Sequence, residues 1–179
     1  YCQDNEISWI NWSAEGQDRD LLAFAQRMIT LRKRHPVFRR KRFFQGRPIK
    51  GANIKDVLWL NPSGNEMSEE QWRDPSLRYL GMFLSGQGLE EMDERGRKVS
   101  DENFLVLLNA YHEDIAFTLP ALRPGARWSA WMDTSREDGL RPVDTRDAGV
   151  AYPLQARSMV VLMERRGNGK KEETIEPPL

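Results

Sequence analysis

Pro36 divides this chain into unlike parts: one amphipathic helix ahead of it, and apolar runs of strand length behind it. Across residues 18–34, Leu21, Phe24, Ala25, Met28 and Leu31 recur at three- and four-residue steps, and Leu22 and Ile29 widen the stripe. Asp18 is placed to cap the first turn, and Arg32, Lys33 and Arg34 complement the helix dipole in the last. Pro36 disfavours helical geometry at His35 and ends the element. A stripe this broad requires a large partner.

After Arg39 the periodicity changes. Val57–Leu60 reads as a strand closed by the turn residues Asn61, Pro62, Ser63 and Gly64. Ser68 and Gln71 have capping-box spacing for a single helical turn that delivers Trp72. Tyr79–Ser85, Phe104–Ala110, Trp128–Met132 and Arg157–Met163 are further strands. Ile115–Leu119 alternates, and the polar tip His112, Glu113, Asp114 predicts a hairpin with the strand before it. Short strands with frequent turns predict a mainly β fold, an antiparallel sandwich or barrel. Gly167–Leu179 is charged and nearly free of apolar residues, the composition of a mobile tail.

Composition then excludes whole classes of function. Basic and acidic residues balance at 27 each, which argues against a nucleic-acid partner, whose phosphates need a basic face. No apolar run approaches the ~18 residues of a membrane span, so no membrane partner is expected. A single cysteine, Cys2, excludes an internal disulfide and points to a reducing, cytoplasmic setting. Two histidines, far apart, make a zinc site or a His-based triad improbable, and Gly81, Gly86 and Gly88 are too sparse for a phosphate loop. No cofactor is expected.

Glycoside cleavage needs two positioned acids, about 5–5.5 Å apart for retention. The adjacent pairs Glu90–Glu91, Asp93–Glu94, Asp101–Glu102 and Glu137–Asp138 all lie in polar stretches where acids are solvated. Cys2 has no neighbouring histidine and reads as a small buried group, and His112 as part of a solvated turn. Trp59, Trp128 and Trp131 lie within apolar runs and read as core, although an exposed indole can stack on a sugar. Trp9 and Trp12 either wedge the helix against a partner or line a pocket edge. Tyr1 with Gln3, Asp4 and Asn5 can hydrogen-bond hydroxyls densely, as a substrate-binding site for sugar requires; equally, they form a polar loop capping Ile7–Trp9.

Taken together these segments resemble the carboxyl-terminal part of bacterial glycogen debranching enzymes, the isoamylase-like branch of the α-amylase superfamily. Tyr1-Cys2-Gln3-Asp4-Asn5 with Trp9 and Trp12 is similar to the loop after the eighth barrel strand of these enzymes, and Leu21–Pro36 to the last barrel helix. The run from Trp59 through Asn61-Pro62, Gly64, Glu66-Met67 and Trp72 resembles their entry into a β-domain, as do Leu80–Leu84, Phe117–Pro120 and Asp133–Ser135.

The resemblance implies a (β/α)₈ barrel acting on α-1,6 branch linkages of glycogen or limit dextrin with retention. The nucleophilic Asp, the acid/base Glu and a second Asp would all lie upstream of Tyr1, so no catalytic residue is expected in this chain. The expected organisation is the end of the barrel over 1–39, a β-sandwich over 40–166 and a tail over 167–179. Its partners would be the N-terminal catalytic barrel and, through it, glycogen or another branched α-glucan. Two alternatives stay open: an independent carbohydrate-binding module, and the terminal domain of a transferase or trehalose-forming enzyme of the same superfamily.

Overall fold

A computed structural model of the chain describes residues 2–13, 19–49, 54–87, 89, 91–136 and 145–165. Tyr1, the expected Asp18 cap, Gly88, Glu90, Glu137, Asp138 and the expected tail over 167–179 lie outside the described residues. Helix α1 runs Arg19–Arg34 and is followed by a tight 3₁₀ turn, Pro36–Arg39, whose Val37 is buried. The remaining elements are β1 Val57–Leu60, α2 Glu69–Arg73, β2 Tyr79–Leu84, β3 Phe104–Asn109, β4 Ile115–Thr118, β5 Arg127–Asp133, β6 Thr145–Asp147, β7 Ala151–Leu154 and β8 Ser158–Arg165. The fold is mainly β and every strand pair is antiparallel.

A six-stranded sheet in the order β1-β2-β3-β8-β5-β6 carries both cores, and the pair β4-β7 forms the second layer. Strand alternation sends successive side chains to opposite faces, so the nearly continuous apolar runs of β3 and β8 serve two partners. Leu105, Leu107, Val160 and Leu162 face β4-β7 and enclose Phe117, Leu154 and the fully buried Trp128. Phe104, Val106, Val161 and Met163 face the other way, onto Leu31 and Val37, with Phe24 and Met28 at the edge.

A bulge at Trp131 changes the pairing of β5 with β8 between Ala130 and Met132. The extra residue turns Met132 to the helix side and Asp133 to the sandwich side, where the Tyr152 hydroxyl donates to Asp133 Oδ2 at 2.7 Å. At the far end of β5, Glu164 is buried and accepts from Asn103 Nδ2 at 2.6 Å and from Arg123 Nε at 3.0 Å. That bond to Glu164, more than burial opposes it, holds the Arg123 guanidinium in its charged form.

Two expectations are corrected. His112–Asp114 does not turn a hairpin: β4 pairs with β7 in the other layer, so the chain arches from one sheet to the next. Strand β3 is already flanked by β2 and β8, and Asn109 pins the arch by donating from Nδ2 to the Glu113 and Gln155 carbonyls, both at 2.9 Å. The helix stripe also divides. Phe24, Met28 and Leu31 meet the sheet, whereas Leu21, Leu22, Ala25 and Ile29, which continue the same arc round the helix at about 100° per residue, face solvent.

Candidate functional site

The segment ahead of α1 is built around Asn5. Its carbonyl accepts from Ser8 N at 3.0 Å and Trp9 N at 3.1 Å, and its Oδ1 accepts from Ile7 N at 3.2 Å. Asx side chains favour such turns because they replace a backbone acceptor. Asn5 Nδ2 donates to Gln3 Oε1 at 3.0 Å, Ser8 Oγ to the Gln3 carbonyl at 2.7 Å, and the Trp9 indole N–H to Asp4 Oδ1. Gln3, Asp4 and Asn5 are thus brought together, with Gln3 and Asp4 exposed, while Tyr1 lies outside the described residues. Capping of Ile7–Trp9 and a clustered set of amide and carboxylate groups turn out to be one arrangement. The Trp9 anchor went unread in the sequence; an acid five residues ahead of an indole was its only signal.

Sequence-adjacent acids part company in three dimensions. Asp93 closes a turn by accepting from Arg97 N at 2.8 Å and Arg95 N at 2.9 Å, and these donors, the Arg97 N–H foremost, hold its carboxyl below the ordinary value. Asp101 is a clamp: Oδ1 meets His35 Nδ1 at 2.8 Å and Oδ2 accepts from Val37 N at 3.0 Å, fixing the end of α1 to the sheet. Among the described residues no group of three or more His, Cys, Asp or Glu is placed to hold a metal. Cys2, expected to be buried, carries an exposed free thiol. His112 lies 3.7 Å from Glu113 on the exposed arch.

The tryptophans also divide. Trp128 is buried and donates its indole N–H to the Pro120 carbonyl at 3.0 Å, and Trp131 is half-buried on the bulge. Trp59, expected in the core, is instead 38% exposed on β1, the terminal strand of the sheet. It meets Trp72, 45% exposed on α2, edge to face at 6.0 Å between ring centres. Trp9 and Trp12 are exposed at 63% and 76%. No helix among the described residues is long and apolar enough to cross a membrane.

Comparison with known proteins matches these features to one group. Over 164 residues the chain is 42% identical to the glycogen operon protein GlgX homolog of Mycobacterium tuberculosis (strain ATCC 25618 / H37Rv), covering 90% of this chain and 22% of that protein. It is 28% identical over 166 residues to the glycogen debranching enzyme of Serratia proteamaculans, covering 93% of this chain and 20% of that enzyme. It is 25% identical over 134 residues to the isoamylase of Pseudomonas amyloderamosa, covering 75% and 15%. The chain therefore spans about a fifth of the length of the curated relatives it matches. The family described as "Isoamylase, C-terminal" matches residues 56–163, from the residue before β1 almost to the end of β8. The sandwich and its pairing belong to that match, and the chain is a member of the isoamylase C-terminal family.

Proposed function

We propose that this chain is the carboxyl-terminal portion of a glycogen debranching enzyme, acting on α-1,6 branches of glycogen or limit dextrin in a reducing cytoplasm. In this reading residues 1–39 end a catalytic (β/α)₈ barrel, 40–166 form its terminal β-sandwich, and 167–179 are a tail. The catalytic carboxylates lie in the barrel, so the chain alone is inactive and its role is structural. Tyr1, Gln3, Asp4 and Asn5 stand on the substrate side of the barrel, where clustered amides and a carboxylate suit sugar hydroxyls.

The observation that carries this reading is the second apolar stripe of α1. Leu22 is 49% and Ile29 54% exposed on the side away from the sheet. An apolar arc of about 180° is wider than one sheet covers, and only its Phe24, Met28 and Leu31 half is packed here. The same sheet face has a half-covered margin at Leu108 and Met159.

Replacing Leu22 and Ile29 with Glu tests the proposal. In this chain both positions are exposed, so stability changes by less than about 0.5 kcal/mol per site. In the full-length enzyme, burial of each against the barrel is worth about 1.5–3 kcal/mol, so the same changes lower its melting temperature and debranching activity together. Equal behaviour in the two contexts would refute the docking role. Release of reducing ends from limit dextrin by this chain alone would refute its inactivity.

A further inference from the structure

We infer that Trp59 and Trp72 form a stacking platform for a linear α-glucan chain, apart from the substrate-proximal loop. The inference rests on the glucan-debranching reading for the identity of the sugar. The geometry stands on its own. Both indoles are well exposed, at 38% and 45%, and they meet nearly at right angles, 81° between planes. An indole face is apolar and electron-rich, matching the C–H face of a pyranose, while the sugar's hydroxyls point outward to polar neighbours.

The platform is rigid before any ligand arrives. Trp59 is held by its place in β1 and by its carbonyl, which accepts from Met67 N at 2.8 Å. Trp72 sits on α2, whose start is fixed by the reciprocal capping box of Ser68 and Gln71. Asn61 Nδ2 donates to Gln71 Oε1 at 3.3 Å and links the two supports. The intervening turn is tied to β4 by Thr118 N donating to the Pro62 carbonyl at 2.8 Å. Gly64 has a φ of +77°, and a side chain there would strike the Thr118 carbonyl at 2.7 Å, so the turn fits closely against the sandwich. Rings ordered in advance lose little entropy on binding. The surroundings are polar: Lys55 Nζ meets Glu66 Oε1 at 2.6 Å and Arg73 lies 3.8 Å from Glu69. Such amide and charged groups suit hydroxyls better than the apolar face of another protein.

The test uses this 179-residue chain. Maltoheptaose is titrated while indole N–H resonances, assigned with W59F and W72F, are followed by NMR. The Trp59 and Trp72 signals should shift saturably while those of Trp128 and Trp131 stay still, and W72A should weaken binding about tenfold or more, as expected for one stacked ring. W72F, which keeps an aromatic face, should lose less; this comparison holds even where removal of the ring disturbs α2. Cellohexaose should bind at least tenfold more weakly. Absence of shifts, undiminished binding by W72A, or equal binding of cellohexaose would each overturn the platform. Shifts confined to the full-length enzyme's barrel contacts, with none on adding sugar, would assign the pair to a protein interface instead and likewise overturn it. Debranching of limit dextrin by the full-length enzyme is measured in parallel: its absence sinks the glucan reading, whereas its presence without binding here sinks only the platform.

Discussion

Replacing Tyr152 with Phe should cost about 2 kcal/mol at neutral pH, a cost set by one buried hydrogen bond. The phenol donates to Asp133 Oδ2 at 2.7 Å, and the two residues are only 7% and 8% exposed. Bonds to charged groups contribute about 1.5–3 kcal/mol, and the lower half applies because Ser135 still donates twice to Oδ1. The ring itself is retained beneath the Arg146 guanidinium, 5.3 Å away, so no cavity opens. For a chain of this size the melting temperature should fall by about 4–8 °C.

The pH dependence supplies a second, independent check. Burial first, and the bond to Asp133 second, push the Tyr152 phenol well above its ordinary value. The unfolded tyrosine loses its proton near pH ~10, where the folded one keeps it. This contribution is therefore fully present below about pH 10 and is lost as pH climbs toward the folded value, by up to about 1.4 kcal/mol per pH unit. The gap between wild type and Y152F should close in that window. Urea unfolding followed by circular dichroism from about pH 7 to about pH 11 reads both quantities. A gap that stays constant to the alkaline end, or one below about 0.5 kcal/mol at neutrality, would refute the reasoning.

Two further outcomes follow from the same packing. D101A removes the acceptor of both His35 Nδ1 and Val37 N, so it should cost about 2 kcal/mol and speed amide exchange across α1 while β3 and β8 stay protected. Uniform loss of protection would instead make α1 inseparable from the sheet. G86A should cost about 1–3 kcal/mol in chemical unfolding, because its new methyl would lie 2.2 Å from the Asp101 carbonyl oxygen and 2.3 Å from that of Glu102, both backbone atoms. An unchanged midpoint would mean that this turn gives way freely.

Strong local signals were legible in the sequence wherever one interaction sets the structure. The helix over Arg19–Arg34, the strands β1, β2, β3, β5 and β8 and the capping box at Ser68 all follow from spacing within a few residues. What stayed hidden depends on which strand lies beside which. Strand β7 contains Pro153 and offers only Tyr152 and Leu154 as apolar residues, so its pairing with β4 is decided by the core they share with Phe117. Trp59 reads as core from its neighbours, yet it stands 38% exposed on the terminal strand. Asp101 reads as a solvated acid, yet two donors supplied from beyond the helix draw it inward. For the loop, the cluster of Gln3, Asp4 and Asn5 was visible as composition, while its shape came from Ser8 and Trp9.

The division of the α1 stripe was available in the sequence all along. At about 100° per residue, Phe24, Met28 and Leu31 fall within about 60° of one another, and Leu22, Ala25 and Ile29 fall within a similar arc centred about 125° further round. With Leu21 between the two groups, the seven apolar positions make one continuous arc of about 180°, and its two halves call for two partners. The structure supplies the first in the sheet, through Val106, Val161 and Met163. Leaving an Ile and a Leu half exposed on the second forgoes burial worth about 1.5–3 kcal/mol each, which a helix of ordinary polarity would not carry. On the proposed reading the helix is shared between the sheet and the barrel, and it is the element through which a displacement of the sandwich would reach the barrel.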